Sequence, residues 1–275
     1  MSSDPQEQRE LLIAAAGIVV GVLISFNLAL ALASKRVTTA NPQKDDGIQA
    51  AAHPDGAAMQ ALVEDRRSVQ PKDMTGGLVP DEHVRAILKS APWAPNHGKT
   101  EPWRFVTYAG KKGIEKLLDA TLAWYEAQPA KFWKENFVLP STGQPEFADF
   151  AAFATYYRKA AVDKWGQASH IVLIGVKRQP KVEGKKQHPT WEEDCAVACA
   201  VQNMHLLATS LGVGAYWSSW YAHYREANEC VTDQFGLEPH LGDRCLGAFV
   251  IGERKPGLKI KAARKPLEEI MQWRA

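Results

Sequence analysis

Residues 11–34, LLIAAAGIVVGVLISFNLALALAS, carry no charged side chain, and this run divides the chain into unequal parts. As an α-helix its 24 residues would rise about 36 Å, enough to cross a hydrocarbon core with some tilt. Its polar members are Ser25, Asn27 and Ser34, whereas a soluble helix of this length would show a polar face. A cleaved secretory signal is the rival reading, with Ala31-Leu32-Ala33 as a small-residue site. Two features favour an uncleaved anchor: Asp4, Glu7 and Glu10 outweigh Arg9, and the apolar run exceeds the usual signal core. Lys35 and Arg36 follow the run, which predicts a single-pass membrane protein with the rest of the chain cytoplasmic. Residues 1–10 are then a tail, and residues 35–58, rich in Ala, Pro, Gly, Asp and Gln, a linker.

Residues 59–275 are long enough for one domain with its own core. Hydrophobic residues form 45% of the chain and charged residues 23%, a balance that excludes a mostly disordered polymer. With 33 Lys+Arg against 31 Asp+Glu, nothing calls for nucleic acid as a partner. Four cysteines without a CxxC pair supply neither a disulfide framework nor a zinc ribbon.

Apolar spacing predicts helices over Met59–Arg67, Pro80–Ser90, Lys111–Glu126 and Trp191–Leu211. The last shows no polar face around Cys195–Val201, so it is expected to be buried on all sides, at the domain centre or in a subunit interface. Cys195 and Cys199 are expected there as packing residues. Strands are predicted at Trp103–Tyr108, His170–Val176, Gly214–Trp220 and Cys245–Gly252. Helices and strands do not alternate regularly, which argues α+β. Residues 133–149, broken by Leu139-Pro140 and Gln144-Pro145, read as a long loop suited to a lid. There is no GxGxxG after a strand, no GxxxxGK[ST], no GxSxG and no HExxH, so the Rossmann, P-loop, α/β-hydrolase and zincin readings lose their main support.

Four places offer polar chemistry. Arg66-Arg67-Ser68 ends the first helix, where two guanidiniums and a hydroxyl suit a phosphate or carboxylate; the plainer alternative is that they complement the helix C-terminus. The loop Ala94-Pro95-Asn96-His97-Gly98-Lys99-Thr100-Glu101 precedes the Pro102-Trp103 strand. Trp217, Ser218 and Ser219 set hydroxyls beside aromatic rings at a strand end, a setting for the edge of a flat ring or simply for core aromatics. Near the C-terminus lies the basic group Lys261, Arg264 and Lys265.

The order RRSVQ, APNHGKTEPWRFV, WEEDCAVACAVQNMHLLATSLGVGAYW, CLGAFVIGE and RKPLEEIM resembles the FMN-dependent nitroreductase superfamily. The resemblance covers residues 59–275. The chain is also similar to iodotyrosine deiodinase, through TEPW, the RKPL-type C-terminus and an N-terminal anchor. This likeness implies a nitroreductase-like α+β fold, with a central mixed or antiparallel sheet flanked by helices, and an obligate homodimer with two FMN sites built from both chains. It implies that Arg66, Arg67 and Ser68 hold the flavin phosphate and ribityl chain and that Arg264 closes on the phosphate. His97 and Lys99 would approach the isoalloxazine. Trp217, Ser218 and Ser219 would lie along the ring, with a hydroxyl near N5.

The implied activity is reduction of nitroaromatic, quinone or similar aromatic acceptors by NAD(P)H, in ping-pong order. Reductive dehalogenation and an FMN-binding protein without turnover are the alternatives. Gln70 stands where many members carry a basic residue, and Lys99 where many carry Asn. Deiodinases pair a lid Glu with a Tyr four residues later. Here Glu126, Glu135 and Glu146 are followed at that distance by Ala130, Leu139 and Phe150, and the lid offers Trp124, Tyr125, Phe132, Trp133 and Phe137 instead.

Overall fold

The computed structural model describes residues 55–130, 133, 147–180, 184, 188–220, 231 and 234–274. The expected membrane span, most of the linker and most of the lid lie outside the described residues. Among the described residues no helix is long and apolar enough to cross a membrane.

Helix α1 (Gly56–Asp65) begins inside the stretch read as linker, because the Asp55 side chain accepts from the Ala58 N–H at 2.6 Å and caps it. Helix α2 (Asp81–Ser90) follows, then strand β1 (Trp103–Ala109) and helix α3 (Gly110–Ala127). Helix α4 (Phe150–Trp165) emerges from the expected lid, capped by Asp149 at 2.8 Å from the Ala152 N–H. Strand β2 (His170–Val176), helix α5 (Thr190–Ser210), strand β3 (Val213–Ser218) and strand β4 (Arg244–Glu253) complete the order. The four strands form one sheet in the order β1-β2-β4-β3, with every pairing antiparallel.

Alternation along the inner strands sends side chains into two cores. Ile171 and Leu173 of β2 and Ala248 and Val250 of β4 pack with Leu117, Tyr125, Phe153, Tyr157 and Trp165 of α3 and α4. Val172, Ile174, Val176, Phe249 and Ile251 pack on the other face with Ile87 of α2 and Val197, Val201 and Met204 of α5. Such residues on both faces explain why β2 and β4 read as continuous apolar runs. Helices α3 and α4, the sheet, and α2 with α5 are therefore three layers.

Of the two settings expected for α5, burial on all sides within its own domain is not what the structure shows. Glu193, Ala196, Val197, Ala200, Val201, Met204, His205 and Ala208 are buried, whereas Trp191, Cys195, Cys199 and Gln202 are exposed. The cysteines are thus not packed within their own chain. One face of the helix covers the sheet, and no other described element of the chain covers the opposite stripe.

Candidate functional site

Arg66 is the C-cap of α1, and beyond it the chain turns along β3, where the Val69 N–H donates to the Ala215 carbonyl at 2.9 Å. Beneath this junction lies His205 of α5. Its Nε2 is 3.0 Å from the Arg67 carbonyl oxygen and 2.9 Å from that of Ala215, so the Nε2–H tautomer donates to both. Burial first, then the charge of Arg66, holds the His205 pKa below the ordinary histidine value against the raising effect of those two carbonyls.

The C-terminal arm, residues 254–274, returns to the same place. Arg254 Nη2 donates to the Leu258 carbonyl at 2.7 Å, and Arg67 Nε donates to that of Ile260 at 3.0 Å. Arg67 Nη1 also serves the Arg66 carbonyl at 2.9 Å and that of Glu64. With the arm tied down, Arg264 comes into electrostatic reach of Arg66, whose pKa is lowered by burial, then by Arg264 and by Arg67. Among the described residues none of these three arginines has a carboxylate within ion-pair distance, and the Arg66 guanidinium makes no hydrogen bond. Clustered guanidiniums without a counter-charge fit a phosphate. Ser68 is exposed beside them.

Three residues beyond Ala215, about 10 Å along an extended strand, β3 ends at Trp217 and Ser218. Between Gly247 and Cys245 the β2–β4 register slips, leaving Leu246 as an extra bulged residue. The Leu246 carbonyl accepts from Trp217 Nε1 at 2.8 Å, which fixes an indole that stays 37% exposed. Ser218 is 5% exposed, and its Oγ accepts from the Trp220 N–H at 3.3 Å. Ser219 is exposed and has no hydrogen bond among the described residues. Of the two serines, Ser219 is the hydroxyl open to a ligand.

His97 and Lys99 are elsewhere. Their loop forms a tight turn in which Gly98 (φ 63), Lys99 (φ 55) and Glu101 (φ 42) all take left-handed backbone, an uncommon conformation for the two non-glycines. The Asn96 side-chain oxygen accepts from the Glu101 N–H at 3.2 Å, and His97 Nδ1 lies 2.6 Å from Glu192 Oε2 near the start of α5. Arg66 and Arg67 sit at His205 instead, about 20 Å further along that helix. Within one chain the structure brings Arg66, Arg67, Ser68 and Arg264 together, places Trp217, Ser218 and Ser219 along the adjoining strand, and keeps His97 and Lys99 apart from both groups.

Sequence reasoning did not single out His205, which reads as one more residue of an apolar helix. It also passed over His188 and Glu192, whose signal is a histidine four residues before a glutamate at a helix start. Arg67 holds the arm through carbonyls, a use that the RRS pattern alone does not reveal.

Residues 63–253 match the Nitroreductase family, and the chain belongs to it. It is similar to the Bacillus subtilis protein named "Putative NAD(P)H nitroreductase YfhC", 23% identical over 182 residues, 66% of this chain and 78% of the relative. Among solved structures it resembles a nitroreductase-like family protein from Bacillus cereus, with TM-score 0.54 and 24% identity over 78% of this chain and 95% of that one. A nitroreductase with bound FMN from Bacteroides fragilis superposes with TM-score 0.50 and 20% identity, over 78% of this chain and 98% of the other. The likeness to deiodinases rests on the sequence motifs alone.

Proposed function

We propose that the chain is an FMN-dependent NAD(P)H oxidoreductase, active as a homodimer on nitroaromatic, quinone or similar aromatic acceptors. The observation that carries this reading is the group of Arg66, Arg67 and Arg264, uncompensated by carboxylate and set beside a strand that ends in an open indole and hydroxyl. FMN would supply the redox chemistry at this site, as hydride acceptor toward NAD(P)H and electron donor toward the aromatic acceptor, in ping-pong order. Arg66 and Arg264 would hold the phosphate and Ser68 would bond to it, while Arg67 keeps the arm in place. The roughly 10 Å from Ala215 to Ser218 leaves room for a ribityl chain between phosphate and ring. Trp217 and Ser219 would then lie along the ring.

His97 and Lys99 reach such a site only from a second copy. The apolar surface agrees: Met59 and Val63 on α1, Trp191 on α5, and Leu267, Ile270 and Trp273 on the arm are exposed in the single chain. That is more apolar surface than an isolated soluble subunit ordinarily leaves to water. Residues 11–34 would anchor the dimer in a membrane, with the catalytic domain cytoplasmic.

The test is anaerobic mixing of the purified protein with NADH or NADPH. Bleaching of a yellow protein, followed by recovery of colour with a quinone or nitroaromatic, is expected. A yellow protein that neither nucleotide bleaches would be an FMN binder without turnover, and halide release from an aryl halide would mark a dehalogenase. A monomer that stays colourless with excess FMN would overturn the reading altogether.

A further inference from the structure

We propose that His97, His188 and Glu192 form a divalent-metal site, with Zn²⁺ as the ion best matched to its donors. One ligand atom from each lies within 4.8 Å of the other two. Four-coordinate zinc, with bonds of about 2.0–2.2 Å, holds its ligand atoms about 3.3 Å apart, so small side-chain movements are enough.

The three residues are held together by backbone features rather than by chance exposure. His188 stands just ahead of Pro189, the N-cap of α5, and approaches Glu192 of the first turn at 3.9 Å. Gly98 brings the neighbouring loop against them: at its φ of 63°, any Cβ would lie 2.5 Å from His188 Nε2. The His97 and His188 rings consequently sit with centroids 3.9 Å apart.

A cation at a helix N-terminus is opposed by the helix dipole, and the acidic residues there offset that opposition. Glu193 and Asp194 are taken by Arg178, and Asp194 also by Arg244, which leaves Glu192 facing the two imidazoles. Two imidazoles and one carboxylate are borderline donors that suit zinc better than magnesium or calcium. The His188 and Glu192 side chains are largely shielded while that of His97 is 62% exposed, so the remaining coordination position opens to water. A bound ion would tie the strained 97–101 loop to α5. His97 is shared with the proposed flavin site, whereas His188 and Glu192 belong to the metal site alone, so the test is placed on those two and does not depend on that reading.

The experiment titrates the untagged full-length protein, stripped with chelator, with Co²⁺ followed by visible absorption and with Zn²⁺ by calorimetry. A saturable Co²⁺ spectrum at one ion per chain is expected, and Zn²⁺ should displace it. His188→Ala and Glu192→Gln should each weaken binding by at least roughly 100-fold, at or beyond the upper end of what loss of an outer-shell partner costs, with bound FMN unchanged. Absence of a saturable spectrum, or binding that both variants leave intact, would overturn the proposal. Flavin content, read on the same samples, reports separately on the proposed function.

Discussion

Arg67 Nε donates to the Ile260 carbonyl at 3.0 Å, joining the end of the first helix to the C-terminal arm. The bond decides where Arg264 can lie, because the arm beyond Ile260 is exposed throughout and has few other attachments. Arg67→Ala should therefore weaken flavin retention by loosening Arg264, although the flavin never needs to touch Arg67 itself. Loss of its charge-assisted bonds should also destabilise the protein by about 1.5–3 kcal/mol. Arg67→Lys keeps the charge but not the fork that reaches several carbonyls, and should recover only part of the loss. Flavin-to-protein absorbance ratios, with protease sensitivity of the arm, check this; arm protection equal to wild type in Arg67→Ala would contradict it.

Arg66 acts differently, since its guanidinium has no protein partner among the described residues. Arg66→Ala combined with Ser68→Ala should strip bound FMN while leaving the far-ultraviolet spectrum and unfolding midpoint near those of the parent. Removal of one of three clustered cations should even relieve repulsion in the empty site. Unchanged flavin content in the double variant would refute the assignment of the phosphate end.

Burial and the Arg66 charge depress the His205 pKa below the unfolded value of about 6.5. The unfolded chain thus binds the proton more readily. The stability His205 contributes is complete above about pH 6.5 and declines as pH falls from there through the folded pKa. His205→Gln can still donate to a carbonyl but does not titrate. Its urea midpoint should fall less steeply than that of the parent between about pH 7 and pH 5. Equal slopes would show that His205 is not an acid-sensitive post of the site.

Much of this architecture could be read from residue order, for reasons that particular elements make plain. HIVLIGV and CLGAFVIG are covered by helices on both faces, so they appear as unbroken apolar runs. Helix α4 escaped because its buried Phe153, Tyr157, Ala161 and Trp165 are interleaved with Arg158, Lys159, Asp163 and Lys164, and because its capping Asp149 closes a Pro-broken stretch. The exposed stripe of α5 was invisible because alanine and cysteine give no polarity contrast between covered and uncovered faces. At the site, RRS suggests an anion grip, but the different partners of Arg66 and Arg67, and so a division of labour between them, do not show in the pattern. That division depends on Ile260 and Arg264, which only the folded arm brings near.

The same α5 stripe gives a chemical readout of assembly. Cys195 and Cys199 are exposed in the single chain, whereas burial pushes the Cys245 thiol up to about 12 and leaves it inert. If a second copy covers α5, peptide-mapped alkylation of the native protein should spare all three positions. Dissociation at high dilution should then release Cys195 and Cys199 before Cys245. Cys199→Glu, which would bury a charge at that interface, should yield a colourless monomer. Rapid labelling of Cys195 and Cys199 in a stable yellow dimer would place the interface elsewhere.

Gly247 joins the sheet to the site most directly. At its φ of 114° a Cβ would run into the Ser218 carbonyl oxygen and lie 3.1 Å from Trp217 Nε1. The close approach lets the Leu246 bulge receive the indole N–H while β3 stays in register with β4. Gly247→Ala should cost more than about 1 kcal/mol, since Ala does not relax into a left-handed backbone. The larger consequence is local: the β3 end must move away, taking Trp217 and Ser219 with it. Flavin should then bind more weakly and with an altered visible spectrum, because the environment of the ring changes while the arginines at the phosphate end keep theirs. A variant with wild-type flavin spectrum and affinity would mean that the β3 end does not line the ring.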